Sequence, residues 1–489
     1  MISATNRLKR FCAALLLCVA TASCAGIDSI TLDNLTARDA DPAVNALPPA
    51  QRKEHERLIT TYGGIYRAPQ LQALIERTLE RLTKASERPE LKYRVTILNS
   101  PAINAFALPG GSIYVTRGLI SLANDTSELS SVLAHEMAHV VARHAAIRED
   151  QIRQAMLNSR VISDVLSDPQ LGALALARSR LSIATFSRGQ ELEADAVGVG
   201  IAARAGYDPF GASRFLTAMG RFAALRSSAF NSGAQQPKDL DFLSSHPSTP
   251  ERISIAVANA KQFANANASE RDREEFLNAL EGITFGDDPK EGFVRGRQFF
   301  HPNLGFAFTA PEGFTLENTP QAVLGAAPNG KEALRLDAVK VSGSDPLTTY
   351  ISSGWIEGIA QETIEELQIN GFNAVTAVVR GEQWSFRLFA IRFGNDVYRM
   401  AFAARSLTPQ IDASFRQSAL SFRRVPIEEA QTIKPLKIRI HRVVAGDTPE
   451  RLASRMAHQD RPLERFLVLN GLQRGVKLQP GDYVKIIGE

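Results

Sequence analysis

Three histidines stand within ten residues in the stretch SVLAHEMAHVVARHAAI (131–147): His135, His139 and His144. On an α-helix His135 and His139, four positions apart, share one face, roughly 40° apart around the axis. His144 comes nine positions after His135 and points to about the opposite side while the helix continues, so it reads as a supporting or surface residue. The spacing His-Glu-x-x-His lets two imidazoles hold Zn2+, with Glu136 beside the first placed as a base for attacking water. With 8 His in 489 residues, chance would produce the pattern in roughly one such chain in a hundred. A buried helix with satisfied histidines is therefore the weaker reading.

A catalytic zinc keeps three protein ligands and one open position. A third histidine six residues after the second is excluded, because Ala145 stands there and Ala142 replaces the glycine of that longer motif. The stretch SRGQELEADAVGVGIAARAG (187–206) supplies a better candidate on a second helix, ended by Gly206 and Pro209. Glu191 and Asp195 are four apart and share a face otherwise made of Ala194, Val197 and Gly198. Carboxylates turned into a packed interior need partners. Glu191 is read as the third ligand, and Asp195 as the acceptor that fixes the tautomer of a ligand histidine. Glu193 reads as a solvated surface carboxylate.

The elements that must position these residues are also signalled. Asp125 with Glu128 makes a capping pair before the first zinc helix, and no proline occurs between Pro109 and Pro169. Leu129, Val132, Leu133, Val140 and Val141 form its apolar stripe. Leu71, Leu74, Ile75 and Leu82 predict an amphipathic helix over 69–82, and KYRVTIL (92–98) and GSIYVT (111–116) predict strands.

NAFALPGGSIYVTRGLI (104–120), HEMAH (135–139), ELEAD (191–195) and HPSTPERI (246–253) occur in this order. In this order the four motifs resemble soluble periplasmic relatives of the CAAX prenyl endopeptidase, metallopeptidase family forty-eight of the gluzincin type, over about residues 50–265. The resemblance implies His135, His139 and Glu191 as zinc ligands and Glu136 as general base. It also implies that GSIYVT is the edge strand of the active site, onto which an extended substrate could add.

His246 lies outside both zinc helices. Pro247 holds it extended, and Pro250 opens a helix containing Arg252. Three readings stay open: a helix cap or loop hydrogen bond, a plug in the fourth zinc position, or an oxyanion donor assisted by Arg252. The plug is preferred for the resting state.

The expected fold is multidomain: an α+β, mostly helical gluzincin peptidase domain (51–285), a small α+β domain (293–425), and a βααβ module (438–489). Residues 1–23 read as a signal peptide, with NRLKR followed by an apolar run too short to span a bilayer. TASCAG resembles a lipoprotein box with Cys24 as the lipidated residue, and Ala25 after it points to outer-membrane sorting. Cleavage after Ala22 competes with this reading. A polar, Pro-rich tether fills 24–50. All three cysteines fall in the first 24 residues, which excludes a cysteine peptidase and disulfides from the later domains. The net charge of +4 includes Arg7, Lys9 and Arg10, so no basic excess argues for nucleic acid. Residues 222–241 read as a flexible stretch, and GDDPKEG (286–292) as a boundary.

HRVVAGDTPERLASRM, LVLNGL and LQPGDYVKI resemble a LysM module, which implies peptidoglycan as a partner. The module reads as an appendage whose removal leaves cleavage of a soluble peptide unchanged. Together these readings predict a periplasmic zinc endopeptidase at the inner face of the outer membrane, with misfolded or stalled envelope proteins as substrates. The alternatives are a chaperone-like assembly factor and a cell-wall hydrolase using the same zinc site.

Overall fold

The computed structural model describes residues 48–151, 153–154, 187–229, 246, 248–263, 269–343, 345–353, 355–356, 358–432, 434–457 and 461–489. The signal peptide, Cys24 and residues 24–47 of the tether lie outside them. The chain divides into two compact units. One contains residues 62–229, 235–288 and 434–489; the other contains helix α1 (Pro49–Thr61) and residues 289–433. No helix among the described residues is long and apolar enough to cross a membrane.

The first unit opens with α2 (Pro69–Ala85), started by its proline and burying Leu71, Leu74, Ile75, Leu79 and Leu82. Strands β1 (Arg94–Leu98), β2 (Ala105–Ala107) and β3 (Ser112–Thr116) form a sheet in the order β1-β3-β2. GSIYVT, expected at the edge, is therefore central: β3 pairs parallel with β1 and antiparallel with β2. The reason is burial. Ile113, Tyr114 and Val115 are each 0% exposed, as a strand covered on both sides requires, and the short AFA is left at the rim. Gly111 before it has φ +83°, and a Cβ there would lie 2.5 Å from the Lys92 carbonyl oxygen.

Thr116 caps α3 (Arg117–Leu122) by accepting from the Leu119 amide. The chain then enters α4 (Thr126–Val141). The Asp125 carboxylate accepts from the Glu128 amide, while the Glu128 carboxylate accepts from the Asn124 amide. Every residue from Thr126 to His139 is buried, so α4 forms the axis of the unit. Around it pack α5 (Arg188–Arg204), opened by a Ser187–Gln190 capping box, and α6 (Gly211–Ala229). Helix α7 (Pro250–Gln262), capped by Thr249, packs on α5 and α6. A Cβ at Gly198 of α5 would stand 3.0 Å from the His135 amide nitrogen, so glycine is what lets α4 and α5 approach. The unit's core also takes Phe276, Leu277 and Leu280 from α8 (Arg273–Leu280). Residues 222–229, expected to be flexible, are the last turns of α6; residues 230–241 lie outside the described set.

Residues 289–433 are mostly antiparallel sheet. Strands β4 (Phe293–Arg295), β5 (Gln298–His301) and β6 (Phe306–Thr309) belong to a four-stranded sheet. Strands β7 (Thr315–Asn318), β8 (Val323–Ala326) and β9 (Glu332–Lys340) open a seven-stranded one. After α9 (Leu347–Ser352), that sheet continues through β10 (Glu365–Ile369), β11 (Phe372–Arg380), β12 (Ser385–Phe393) and β13 (Asp396–Ala404). The Gly394-Asn395 turn joins the last two, with φ +62° at the glycine. Helix α10 (Pro409–Leu420) covers a core of Phe306, Phe308, Phe389, Phe402 and Phe415, then β14 (Arg423–Arg424) and α11 (Ile427–Thr432) follow.

The last segment runs β15 (Lys437–Arg442), α12 (Pro449–Ser454), α13 (Pro462–Leu469), β16 (Tyr483–Gly488), with β15 and β16 antiparallel. It is not an appendage. Its leading strand bonds to the residues that follow α8: Ile438 N–H donates to Ile283 O, and Gly282 N–H to Ile438 O, both at 2.8 Å. Ile438 is part of the core built by α2, α4 and α8.

Candidate metal centre

Helix α4 presents His135, Glu136 and His139 where Glu191 of α5 meets them. His246 arrives from the segment just before α7. His139 Nε2 is 3.1 Å from His135 Nε2, and His246 Nδ1 is 3.2 Å from His135 Nε2 and 2.8 Å from Glu191 Oε1. Glu191 oxygens stand 3.6 Å from His135 Nε2 and 3.5 Å from His139 Nε2. One donor atom from each of His135, His139, Glu191 and His246 lies within 4.8 Å of the others, and all four residues are buried. Imidazole lone pairs and a carboxylate crowded this closely are not a mutually satisfied hydrogen-bond set; they share a centre suited to one cation.

The surroundings fix how each ligand is turned. His135 Nδ1 lies 3.0 Å from Asp195 Oδ1, so its N–H donates there and Nε2 keeps its lone pair for the centre. Arg252 grips Asp195 from the far side, with Nε and Nη2 each donating over 2.7 Å, and Nη1 stands 2.8 Å from Glu191 Oε2. The expectation that Arg252 assists at an oxyanion thus gives way to a different geometry. All three of its nitrogens face carboxylates, so it positions Asp195 and Glu191 instead. His246 is 1% exposed, inside the cluster, which places it with the ligands rather than at a helix cap; Thr249 is the cap of α7.

His144 is the residue the helical projection misplaces. Helix α4 stops at Val141, and Arg143 adopts φ +56°. That left-handed residue swings the chain back, and His144 Nδ1 meets His139 Nδ1 at 2.9 Å. His139 Nδ1–H therefore donates to His144 Nδ1, leaving His144 Nε2–H to face Glu193 Oε2 at 3.3 Å. A non-glycine residue in the left-handed region leaves no reliable mark in a sequence.

Glu136 is 2% exposed, and its Oε1 makes no hydrogen bond although it is buried. Burial, and next the Glu191 charge, push its carboxyl well above the ordinary range, against a backbone hydrogen bond from Ala107 of β2. Burial lowers His135, His139 and His246, the last to about 3, so all three imidazoles are neutral and able to ligate. A buried carboxylate oxygen without a donor, beside three neutral imidazoles and a second carboxylate, fits a divalent cation with a water or substrate oxygen beside it.

Fold and site together form a domain with a buried candidate metal centre, and its sequence is similar to a known family: residues 69–259 match peptidase family M48. The match takes in all four motif regions up to α7, and the four-residue cluster that could hold one metal ion lies inside it. The chain is 33% identical over 188 residues to the mitochondrial metalloendopeptidase OMA1 of Schizosaccharomyces pombe, covering 37% of this chain and 50% of that one. It is 31% identical over 204 residues to the beta-barrel assembly-enhancing protease of Yersinia pestis, covering 40% of each. For the protein of the same name from Escherichia coli K12 the identity is 31% over 192 residues, covering 37% of each. The chain thus spans half or less of the length of these relatives.

Proposed function

We propose that the protein is a zinc endopeptidase of the bacterial periplasm that cleaves misfolded or stalled envelope proteins. The observation that carries the peptidase reading is the buried Glu136 oxygen, without a hydrogen bond, beside the His135–His139–Glu191–His246 cluster. Zinc bound there supplies Lewis-acid polarisation of a scissile carbonyl and acidifies water. Glu136 accepts the proton of the attacking water and delivers it to the leaving amine. Asp195, His144 and Arg252 keep the ligand side chains in register. The rim strand β2, which bonds to Glu136 through Ala107, offers a backbone edge for an extended substrate. The envelope substrates are supported by the two relatives named for β-barrel assembly.

With metal bound, the His246 imidazole, which lies among the other three donors, would limit access of water until substrate binding moved it aside. His246→Ala should then raise basal proteolysis, self-cleavage included; a fall in turnover would favour an oxyanion role. Incubating the protein with an unfolded outer-membrane protein and with purified peptidoglycan tests the main reading. Cleavage of the polypeptide alone supports it, and release of wall fragments alone replaces it with a cell-wall hydrolase.

A lipid anchor at Cys24 and peptidoglycan binding by the LysM-like segment belong to the same proposal. Cys24→Ala should abolish labelling by a fatty-acid analogue. Sedimentation of the full chain with sacculi should be competed by N-acetylglucosamine oligomers.

A further inference from the structure

Strand β16 places a lysine where a packed interior rarely keeps one. Lys485 is 0% exposed, and its Nζ lies 2.8 Å from Ser121 O, 3.4 Å from Leu122 O and 2.6 Å from Ala123 O. Those carbonyls close α3 and lead into α4. At a helix C-terminus the last carbonyls have no partner within the helix, and a cation is the complement they need. An apolar side chain of the same length would fill the space without the desolvation penalty of a buried ammonium. The carbonyls explain why lysine stands there instead.

The lysine is itself held rigidly. Its amide donates to Asn470 Oδ1 at 2.7 Å, and its carbonyl accepts from Asn470 Nδ2 at 2.9 Å. Asn470 is the asparagine of LVLNGL, so the turn of the C-terminal segment serves to aim Lys485. A second tie runs beside the first. Arg273 of α8 donates to Asn124 O at 2.8 Å and to Tyr483 O at 3.0 Å, linking β16 to the residue before the Asp125 cap. The same segment also meets α6, where Arg221 donates to Leu472 O at 3.1 Å and Leu225 O accepts from Arg461 at 2.9 Å.

We propose that Lys485 is a positioning residue for the zinc helix. The C-terminal segment is a built-in brace that sets the N-terminal end of α4, and so the placement of His135, Glu136 and His139. The link is mechanical. Residues 121–125 enter a helix whose first fourteen residues are all buried, so a shift at its start is carried along a rigid element to His135. The role rests on the metallopeptidase reading for its consequence in catalysis, but not for its effect on metal binding.

The test compares the full-length wild type with Lys485→Met, which keeps the stem and removes the donors. Zinc dissociation is measured by chelator competition, and hydrogen exchange is followed over 121–139 and over 437–442 in the same samples. The expected result is at least a tenfold weaker zinc complex and faster exchange over 121–139, with β15 still protected. On a peptide substrate, kcat should fall while KM stays within twofold. A folded Lys485→Met protein with zinc affinity within twofold of wild type and unchanged exchange over 121–139 would overturn the proposal. If Lys485→Met does not fold, Lys485→Gln, whose shorter, uncharged side chain cannot reach all three carbonyls, is judged by the same two results. A wild type that binds zinc but hydrolyses no peptide would refute the endopeptidase reading and leave this test standing.

Discussion

Both units bury arginine–carboxylate pairs, and they use them differently. In the sheet unit Arg387 makes a two-point contact with Asp412 at 2.6 and 2.8 Å and also reaches Thr376. Arg399 does the same with Asp337, at 2.6 and 2.9 Å. These groups close on one another. In the peptidase unit Arg252 closes on Asp195 just as tightly, but one contact further in the pattern changes. Three imidazoles and Glu191 converge, and Glu136 Oε1 is buried without a hydrogen bond. A buried charge by itself therefore marks nothing. What distinguishes the site is an excess of acceptors that only a cation and a water or substrate can satisfy.

The comparison breaks most visibly at Glu136. Glu136→Gln should keep the zinc, because the ligands remain, and lower peptide hydrolysis by about a thousandfold, within the range of general-base loss. His139→Ala and Glu191→Ala should lose both metal and activity, as should wild type treated with a strong chelator, whose activity returns with added zinc. Elemental analysis beside a peptide assay decides; normal zinc content in both ligand variants would remove them from the ligand set.

Next in size is the matched pair Arg252→Met and Arg387→Met. Arg252→Met leaves the buried Asp195 without its cation, a change that costs about 3–5 kcal/mol; Arg387→Met leaves Asp412 partly exposed and 3.5 Å from Arg416, so its cost is smaller. Both should lower the unfolding midpoint, but only Arg252→Met should also weaken zinc binding, since Asp195 would no longer be held against His135. Equal zinc affinity in the two variants would show that the Arg252 pair is packing alone. A smaller effect is expected at His144. Replacing it with Ala removes the acceptor of His139 Nδ1–H and should weaken zinc by about 10- to 100-fold, as read by chelator competition.

These residues also mark how far the sequence could be read. His135, Glu136, His139 and Glu191 were legible because helical spacing of four is a local rule, and the helix caps around them are local too. The order of the small sheet was not, because which of two apolar strands becomes central depends on what covers them. His144 was hidden by Arg143, whose left-handed backbone reverses the projected direction without a glycine to announce it. Arg252 was legible as a site residue but not in its role, since its partners come from a different helix. Lys485 lay beyond any local rule: its acceptors are more than 360 residues away in sequence. The βααβ order of the C-terminal segment was visible, whereas the surface on which it closes was not.

The smallest effect expected lies in the sheet unit, at His301. Its ring is buried between Phe299 and Phe306, and Nδ1 accepts from the Leu304 amide at 3.2 Å. Burial lowers its pKa to about 4, whereas in the unfolded chain it titrates near 6.5. As pH falls below that value the unfolded state takes up the proton first. The stability His301 contributes is thus complete above about pH 6.5, and it is lost as pH falls toward 4. Between pH 7 and pH 5.5 the loss amounts to about 1 kcal/mol, in a window where most carboxylates stay ionised. Both tryptophans of the chain, Trp355 and Trp384, lie in this unit, so their fluorescence follows its unfolding within the whole protein. The denaturant midpoint should fall over that range in the wild type and stay flatter in His301→Asn, which keeps an acceptor for the Leu304 amide. Parallel pH profiles for the two proteins would assign the acid sensitivity of the sheet unit to groups other than His301.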